Sequence, residues 1–119
     1  MSSFLKKRVR SIGYAAKGAY LLLRTEASVK IQLFIAIGVT AAGIYFNISA
    51  VEWMLQLIVI ALVMTAEGLN TAIEKTADFI HPNYHSKIGF IKDIAAGAVF
   101  IAAIFAIAVA CIIYLPKLF

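Results

Sequence analysis

The run from Trp53 to Ala66 carries no charge, and the residues that follow it constrain the whole chain. Its fourteen residues are too few to cross a bilayer, which takes about 20. A helix that spans here must therefore carry Glu67 and Asn70 into or near the hydrocarbon. A carboxylate at the bilayer centre costs on the order of 2.5 kcal/mol or more, and such residues mark functional sites by default. The spacing points the same way. At about 100° per residue, Glu67, Asn70, Glu74 and Asp78 fall within one stripe roughly 80° wide. Carboxylates and a carboxamide on one face, continuing an apolar helix, read as a site and not as a solvated surface.

Apolar residues make up 63% of the 119 residues and charged residues 14%. A soluble domain this small could not bury that much apolar surface, so the bilayer is the expected solvent for one all-α domain over residues 1–119. The net charge of +5 is uneven: ten of the eleven Lys and Arg residues lie before Ile31 or between Lys75 and Lys92. No interleaving of aromatic and basic residues accompanies the charge, which speaks for membrane topology and against a nucleic-acid partner. Cys111 is alone in an apolar run and has no disulfide partner in the chain. The basic N-terminus is not followed by a short apolar stretch and a small-residue cleavage site, so no signal peptide is expected.

Residues 4–25 read as an amphipathic surface helix. Leu5, Val9, Ile12, Ala16, Ala19, Tyr20 and Leu23 share one face, and Lys6, Lys7, Arg10, Lys17 and Arg24 the other. A basic amphipathic helix lies in the headgroup plane of an anionic leaflet. Thr25-Glu26 then reads as an N-terminal cap with a first-turn acid. Transmembrane helices are expected over residues 29–48, 53–80 and 93–115, with Asn47 to Glu52 as a short loop, Asp93 opening the last helix and Pro116 ending it. Gly38, Ala41, Ala42 and Gly43 in the first span, and Ala98, Ala102, Ala106 and Ala110 in the third, form small-residue seams that let membrane helices approach closely. The basic first helix and the basic 81–92 loop belong in the cytoplasm, and the 47–52 loop and the C-terminus outside. The water-exposed end of the carboxylate stripe, Glu26, Lys92 and Asp93 then meet at the cytoplasmic membrane surface.

Two convergent carboxylates, Glu26 and Glu74, suit a hard cation such as Mg²⁺, which takes oxygen ligands and often phosphates. Lys92 beside Asp93 offers positive charge to phosphate oxygens. Glu67 lies deeper, placed to take a proton from a lipid hydroxyl, with Asn70 one turn away to orient either party. Together they suit phosphoryl transfer from a nucleotide to a lipid alcohol, a reaction governed by positioning and electrostatics. The residues alone leave two alternatives open. A small oligomeric proton-coupled transporter would also use a membrane carboxylate such as Glu67, and a non-catalytic membrane subunit would use none. No P-loop or protein-kinase signature is present. His81 and His85 have the i, i+4 spacing of a metal pair, but Pro82 breaks a helix there, and solvated loop histidines are expected.

Glu67-Gly68-Leu69-Asn70-Thr71-Ala72-Ile73-Glu74, then Asp78, Tyr84-His85 and Lys92-Asp93-Ile94-Ala95-Ala96-Gly97-Ala98-Val99, closely resemble the small prokaryotic diacylglycerol kinases, a family that includes the undecaprenol kinases of Gram-positive bacteria. Gly13-Tyr14, Lys17-Gly18 and Glu26 extend the likeness over nearly the whole chain. The resemblance implies a homotrimeric bundle of three-span subunits, each with an N-terminal surface helix, in the bacterial inner membrane. It implies active sites shared between subunits at the cytoplasmic face, where ATP and Mg²⁺ meet a membrane lipid. By motif it makes Glu67 the general base, and Glu26 and Glu74 the metal and nucleotide carboxylates. Tyr14, Asn83, Tyr84, His85, Lys92 and Asp93 become nucleotide contacts, with Asn70 and Asp78 as supporting polar groups. The basic contact that the family carries early in its surface helix falls on Lys7 by spacing. Lys30 stands where Arg is common, which would weaken a bidentate contact there. Ile48-Ser49-Ala50-Val51-Glu52-Trp53 and Asp93 to Val99 look more like the Gram-positive branch, which points towards a polyprenol acceptor, with diacylglycerol as the other choice.

Overall fold

The computed structural model describes residues 2–119 as four helices: α1 Ser3–Thr25, α2 Ala27–Phe46, α3 Ala50–Ile80 and α4 Ser86–Leu118. The last three are long and apolar enough to cross a membrane. With 31 and 33 residues, α3 and α4 are about 46 and 50 Å long at 1.5 Å per residue. A hydrocarbon core is about 30 Å thick, so both reach well beyond it. The closest packing is between α3 and α4; α2 lies against α3, and α1 meets α2 near their junction.

α1 starts at Ser2, whose hydroxyl accepts the Leu5 N–H at 3.2 Å. None of its residues is buried, so Phe4, Leu5, Val9 and Ile12 present an open apolar face. The chain breaks at Glu26, where the backbone is extended, φ −99° and ψ 118°. The expected cap at Thr25-Glu26 does not form. The Thr25 hydroxyl donates back to the Leu21 carbonyl at 2.7 Å. Glu26 is itself the capping position of α2, yet its side chain bonds no helix N–H.

Several expected boundaries differ because caps decide helix ends. α2 stops at Phe46 because Asn47 turns left-handed, φ 52° and ψ 55°, and its N–H returns to the carbonyls of Gly43 and Ile44. Asparagine is one of the few non-glycine residues that adopt this conformation readily. Glu52, expected in the loop, lies in the first turn of α3. It accepts the Ser49 N–H at 2.9 Å while the Ser49 hydroxyl accepts the Glu52 N–H at 3.2 Å, a reciprocal box that satisfies two orphan donors. α4 begins at Ser86 and not at Asp93, because the His85 ring accepts the Lys87 N–H at 3.0 Å. Pro116 lies inside the last turn of α4 instead of ending it. A proline this near a C-terminus disturbs little beyond one turn, and Lys117 Nζ donates to the Ile113 carbonyl at 2.9 Å.

The end of the bundle near the 47–49 turn is tightly knit. Gln56, only 4% exposed, donates from Nε2 to the Val39 carbonyl at 3.1 Å. The Tyr114 hydroxyl donates to Gln56 Oε1 at 2.5 Å and sits 3.1 Å from the same carbonyl. Lys117 pairs with Glu52 at 2.7 Å. Between α2, α3 and α4 runs an apolar groove of about 300 Å³, lined by residues including Ala36, Val39, Gln56, Val63, Ala106 and Ile113. The expected small-residue seams are used selectively. Of their members Gly43 of α2 and Ala102 of α4 are buried, whereas Gly38 faces open space and Ala41 and Ala98 are exposed; Ala36 and Ala95, outside the expected seams, are buried as well. At Gly43 a Cβ would stand 2.7 Å from the Trp53 ring. Gly43→Ala is therefore expected to destabilise the fold by about 1–3 kcal/mol through overpacking. Thermal unfolding in micelles reads the loss, and emission from Trp53, the only tryptophan, should report the displaced ring. An unchanged midpoint and spectrum would show that the ring adapts without strain.

Candidate functional site

Along α3 the carboxylate stripe runs from buried to exposed. Glu67 is 9% exposed, and among the described residues it enters no ion pair. Beside it Gly68 and Thr71 are buried as well. Gly68 admits α1: a Cβ there would lie 3.0 Å from Leu22 Cδ1, so the close approach of the first helix depends on glycine at this turn. Asn70 is half-buried, and its Nδ2 donates to Glu74 Oε1 at 3.3 Å. Asn70 Oδ1 is buried and has no hydrogen-bond partner, an acceptor left for a ligand to satisfy. Glu74 and Asp78 are exposed on the following turns.

Two lysines hold the outer carboxylates. Lys75 Nζ lies 3.2 Å from Glu26 Oε1 and so joins the α1–α2 break to α3. Lys92 of α4 donates to Asp78 Oδ1 at 2.5 Å, which brings an expected nucleotide contact and an expected supporting group together. Lys75 is the residue that sequence reasoning missed. The signal available was its place next to Glu74, at the edge of the stripe, but nothing in the sequence names Glu26 as its partner.

The expected nucleotide residues of the loop lie between α3 and α4 at the same end. Asn83, Tyr84 and His85 are all exposed. His81 Nδ1 is 2.6 Å from the Asn83 carbonyl, so this nitrogen carries a proton, and in the neutral ring the lone pair is on Nε2. His85 is the reverse. Its Nδ1 accepts from Lys87, so in the neutral ring Nε2–H is a donor free to meet an oxygen. The rings stand edge to face with centroids 5.5 Å apart, but only His81 retains a free ring lone pair, which is not the arrangement of a two-histidine metal site. Asp93 is exposed on α4 beside Lys92. Tyr14 and Lys7 are exposed on α1; at 1.5 Å per residue they lie about 18 and 28 Å along the helix from Glu26. A single chain thus does not bring them to the Glu67 cluster by way of α1 itself.

The donor set favours a hard cation. Glu26, Glu74 and the unpartnered Asn70 Oδ1 all offer oxygen, and Lys75 draws Glu26 to the turn that carries Glu74. Among the described residues no three His, Cys, Asp or Glu side chains close into a complete cage. That suits an ion of the Mg²⁺ type, which is held by one or two carboxylates and keeps substrate phosphates and water as its other ligands.

Residues 13–114 match the sequence profile of prokaryotic diacylglycerol kinase. The chain belongs to the prokaryotic diacylglycerol kinase family. It is 34% identical over 114 residues to the undecaprenol kinase of Bacillus subtilis strain 168, covering 96% of this chain and 93% of that one. To the diacylglycerol kinase of Escherichia coli K12 it is 30% identical over 105 residues, 88% of this chain and 86% of that one. A diacylglycerol kinase of Synechocystis shares 34% identity over 109 residues, 91% of this chain but 62% of that longer protein. This family member is a lipid kinase and a multi-pass membrane protein, with a lipid and ATP as its substrates. None of these similarities supports proton-coupled transport by Glu67, and an enzyme replaces the non-catalytic subunit as well.

Proposed function

We propose that this lipid kinase transfers the γ-phosphate of ATP to the hydroxyl of a membrane lipid at the cytoplasmic face of the bacterial inner membrane, with Glu67 as general base. The observation that carries this reading is Glu67 itself: a carboxylate buried in an apolar helix, in no ion pair among the described residues, on the helix whose following turns carry the Lys75–Glu26 and Lys92–Asp78 pairs. The lipid hydroxyl oxygen attacks the γ-phosphorus while its proton passes to Glu67. The new O–P bond forms as the bond to the β,γ-bridging oxygen breaks, and ADP leaves. Glu26 and Glu74 would hold Mg²⁺, which would supply positive charge to neutralise the phosphate oxygens. Lys92, Asp93, Asn83, Tyr84 and the His85 Nε2–H bind the nucleotide, and Asn70 and Asp78 hold Glu74 and Lys92 in place.

The positive charge on α1 and around the α3–α4 loop supports a cytoplasmic N-terminus and an outside C-terminus. In that orientation α1 lies along the leaflet with its apolar face down. A homotrimer is supported by the open apolar faces of the spans and by the site's composition. Tyr14 and Lys7 stand far along α1 from their own Glu26, and a neighbouring copy can bring an equivalent pair to the site.

For the acceptor we propose a polyprenol. The support is the fuller coverage of the Bacillus enzyme together with the residues of the 48–53 and 93–99 stretches. Purified protein in mixed micelles, given γ-labelled MgATP with undecaprenol and dioleoylglycerol side by side, is expected to label both lipids, undecaprenol with the higher kcat/KM. A higher value for dioleoylglycerol would make diacylglycerol the acceptor. Folded protein that labels no lipid alcohol would overturn the reading of the site.

A further inference from the structure

Glu26 is a carboxylate held in place at the α1–α2 break and met by one lysine. The chain break fixes it between two helices, its side chain caps neither, and that side chain is only 22% exposed. The lysine that meets it is 70% exposed, so a mobile cation comes to a fixed anion. That cation follows Glu74 on α3, so the ammonium that meets Glu26 comes from the turn that carries the other carboxylate assigned above to the metal. Lys92, a second cation at this end, pairs with Asp78.

We propose that Lys75 is a positioning residue that occupies the metal-facing carboxylate Glu26 in the nucleotide-free protein and restrains divalent-cation loading until nucleotide is present. The proposal rests on the assignment of Glu26 and Glu74 as metal carboxylates. An exposed pair at 3.2 Å ties the helices only weakly and is well suited to being displaced. A divalent cation approaching Glu26 alone meets the Lys75 charge and must compete with it. A cation arriving with ATP brings phosphate oxygens, which give the ammonium a second partner and remove the competition. Lys75 thus penalises free metal and spares the metal–nucleotide complex.

The test is binding of Mn²⁺, a spin-active substitute for Mg²⁺, to the full chain in micelles, read by electron paramagnetic resonance with and without a non-hydrolysable ATP analogue. Without nucleotide, Lys75→Gln is expected to bind Mn²⁺ roughly two- to fivefold more tightly than the unaltered protein, the range of an exposed ion pair. Lys75→Arg should stay near the unaltered value, and with the analogue present the Lys75→Gln advantage should vanish or reverse. A tie that served only structure would lower the unfolding midpoint in Lys75→Gln and leave Mn²⁺ affinity alone. Unchanged affinity in Lys75→Gln, alongside weakened binding in Glu26→Gln, overturns the proposal and leaves the metal assignment standing. Unchanged affinity in Glu26→Gln overturns both.

Discussion

Glu67→Gln is expected to lower kcat by about 10²- to 10⁴-fold, the usual contribution of a positioned general base, or about 3–5 kcal/mol of barrier. Glutamine keeps the volume of the buried side chain, so the turn carrying Gly68 and Thr71 should pack as before. What it removes is the proton acceptor. Binding of MgATP should be unaltered, because the charged groups assigned to nucleotide lie on later turns of α3, at the α1–α2 break and around the α3–α4 loop. Initial rates in mixed micelles, paired with titration of an ATP analogue, separate the two quantities. A fall in kcat of less than tenfold would remove Glu67 from the role of base.

Gly68→Leu is expected to disconnect α1 from the site. Even a bare Cβ at this position would meet Leu22 Cδ1 at 3.0 Å. The flexible end of one leucine can yield to a methyl group but not to a second leucine. Overpacking of this kind costs about 1–3 kcal/mol. The strain can be relieved only by moving α1 outward. Leu22 carries Glu26 with it, because the Glu26 N–H bonds the Leu22 carbonyl at 3.2 Å. The Lys75 pair would then open, and misplacement of a carboxylate by about an ångström can cost on the order of 10²-fold in rate. Gly68→Ala should be much milder. Hydrogen exchange at residues 20–26 should rise in Gly68→Leu and hardly change in Gly68→Ala. Unaltered exchange and activity in Gly68→Leu would show that α1 docks without this contact.

The parts of the fold governed by composition over many residues could be read in advance. Three long uncharged runs and one basic amphipathic run are statements about solvent, and they survive uncertainty at any single position. Helix ends are different, because one or two hydrogen bonds decide them. The Ser49-x-x-Glu52 box is present in the sequence, but an acid beside a short polar stretch reads equally well as part of a loop. The His85 cap was not readable, since an imidazole becomes a cap only through its backbone geometry. In the site, helical periodicity alone placed Glu67, Asn70, Glu74 and Asp78 on one face, and the Asn70–Glu74 hydrogen bond follows from that spacing. The Lys75–Glu26 pair joins separate helices and depends on how sharply the chain turns at Glu26, which no local pattern encodes. Gln56 likewise read as an uncharged residue in an apolar run. Only the packing of α2, α3 and α4 reveals it as the centre of a buried hydrogen-bond cluster.

That cluster makes the stiffness of the bundle uneven. Near the 47–49 turn the helices are joined by half-buried hydrogen bonds, a shielded ion pair and the Trp53 ring seated on Gly43. At the Glu67 end the links are two exposed ion pairs and one leucine on a glycine. Hydrogen bonds left unmade in an apolar interior are costly, whereas exposed ion pairs yield readily. This difference predicts levers whose fulcrum is the 47–49 end: in the orientation proposed above, a small rotation about it would spread the cytoplasmic ends most and widen the gap proposed to admit a lipid headgroup and release its phosphorylated product. The softer end would then open with each turnover while the opposite end holds the register of all three spans.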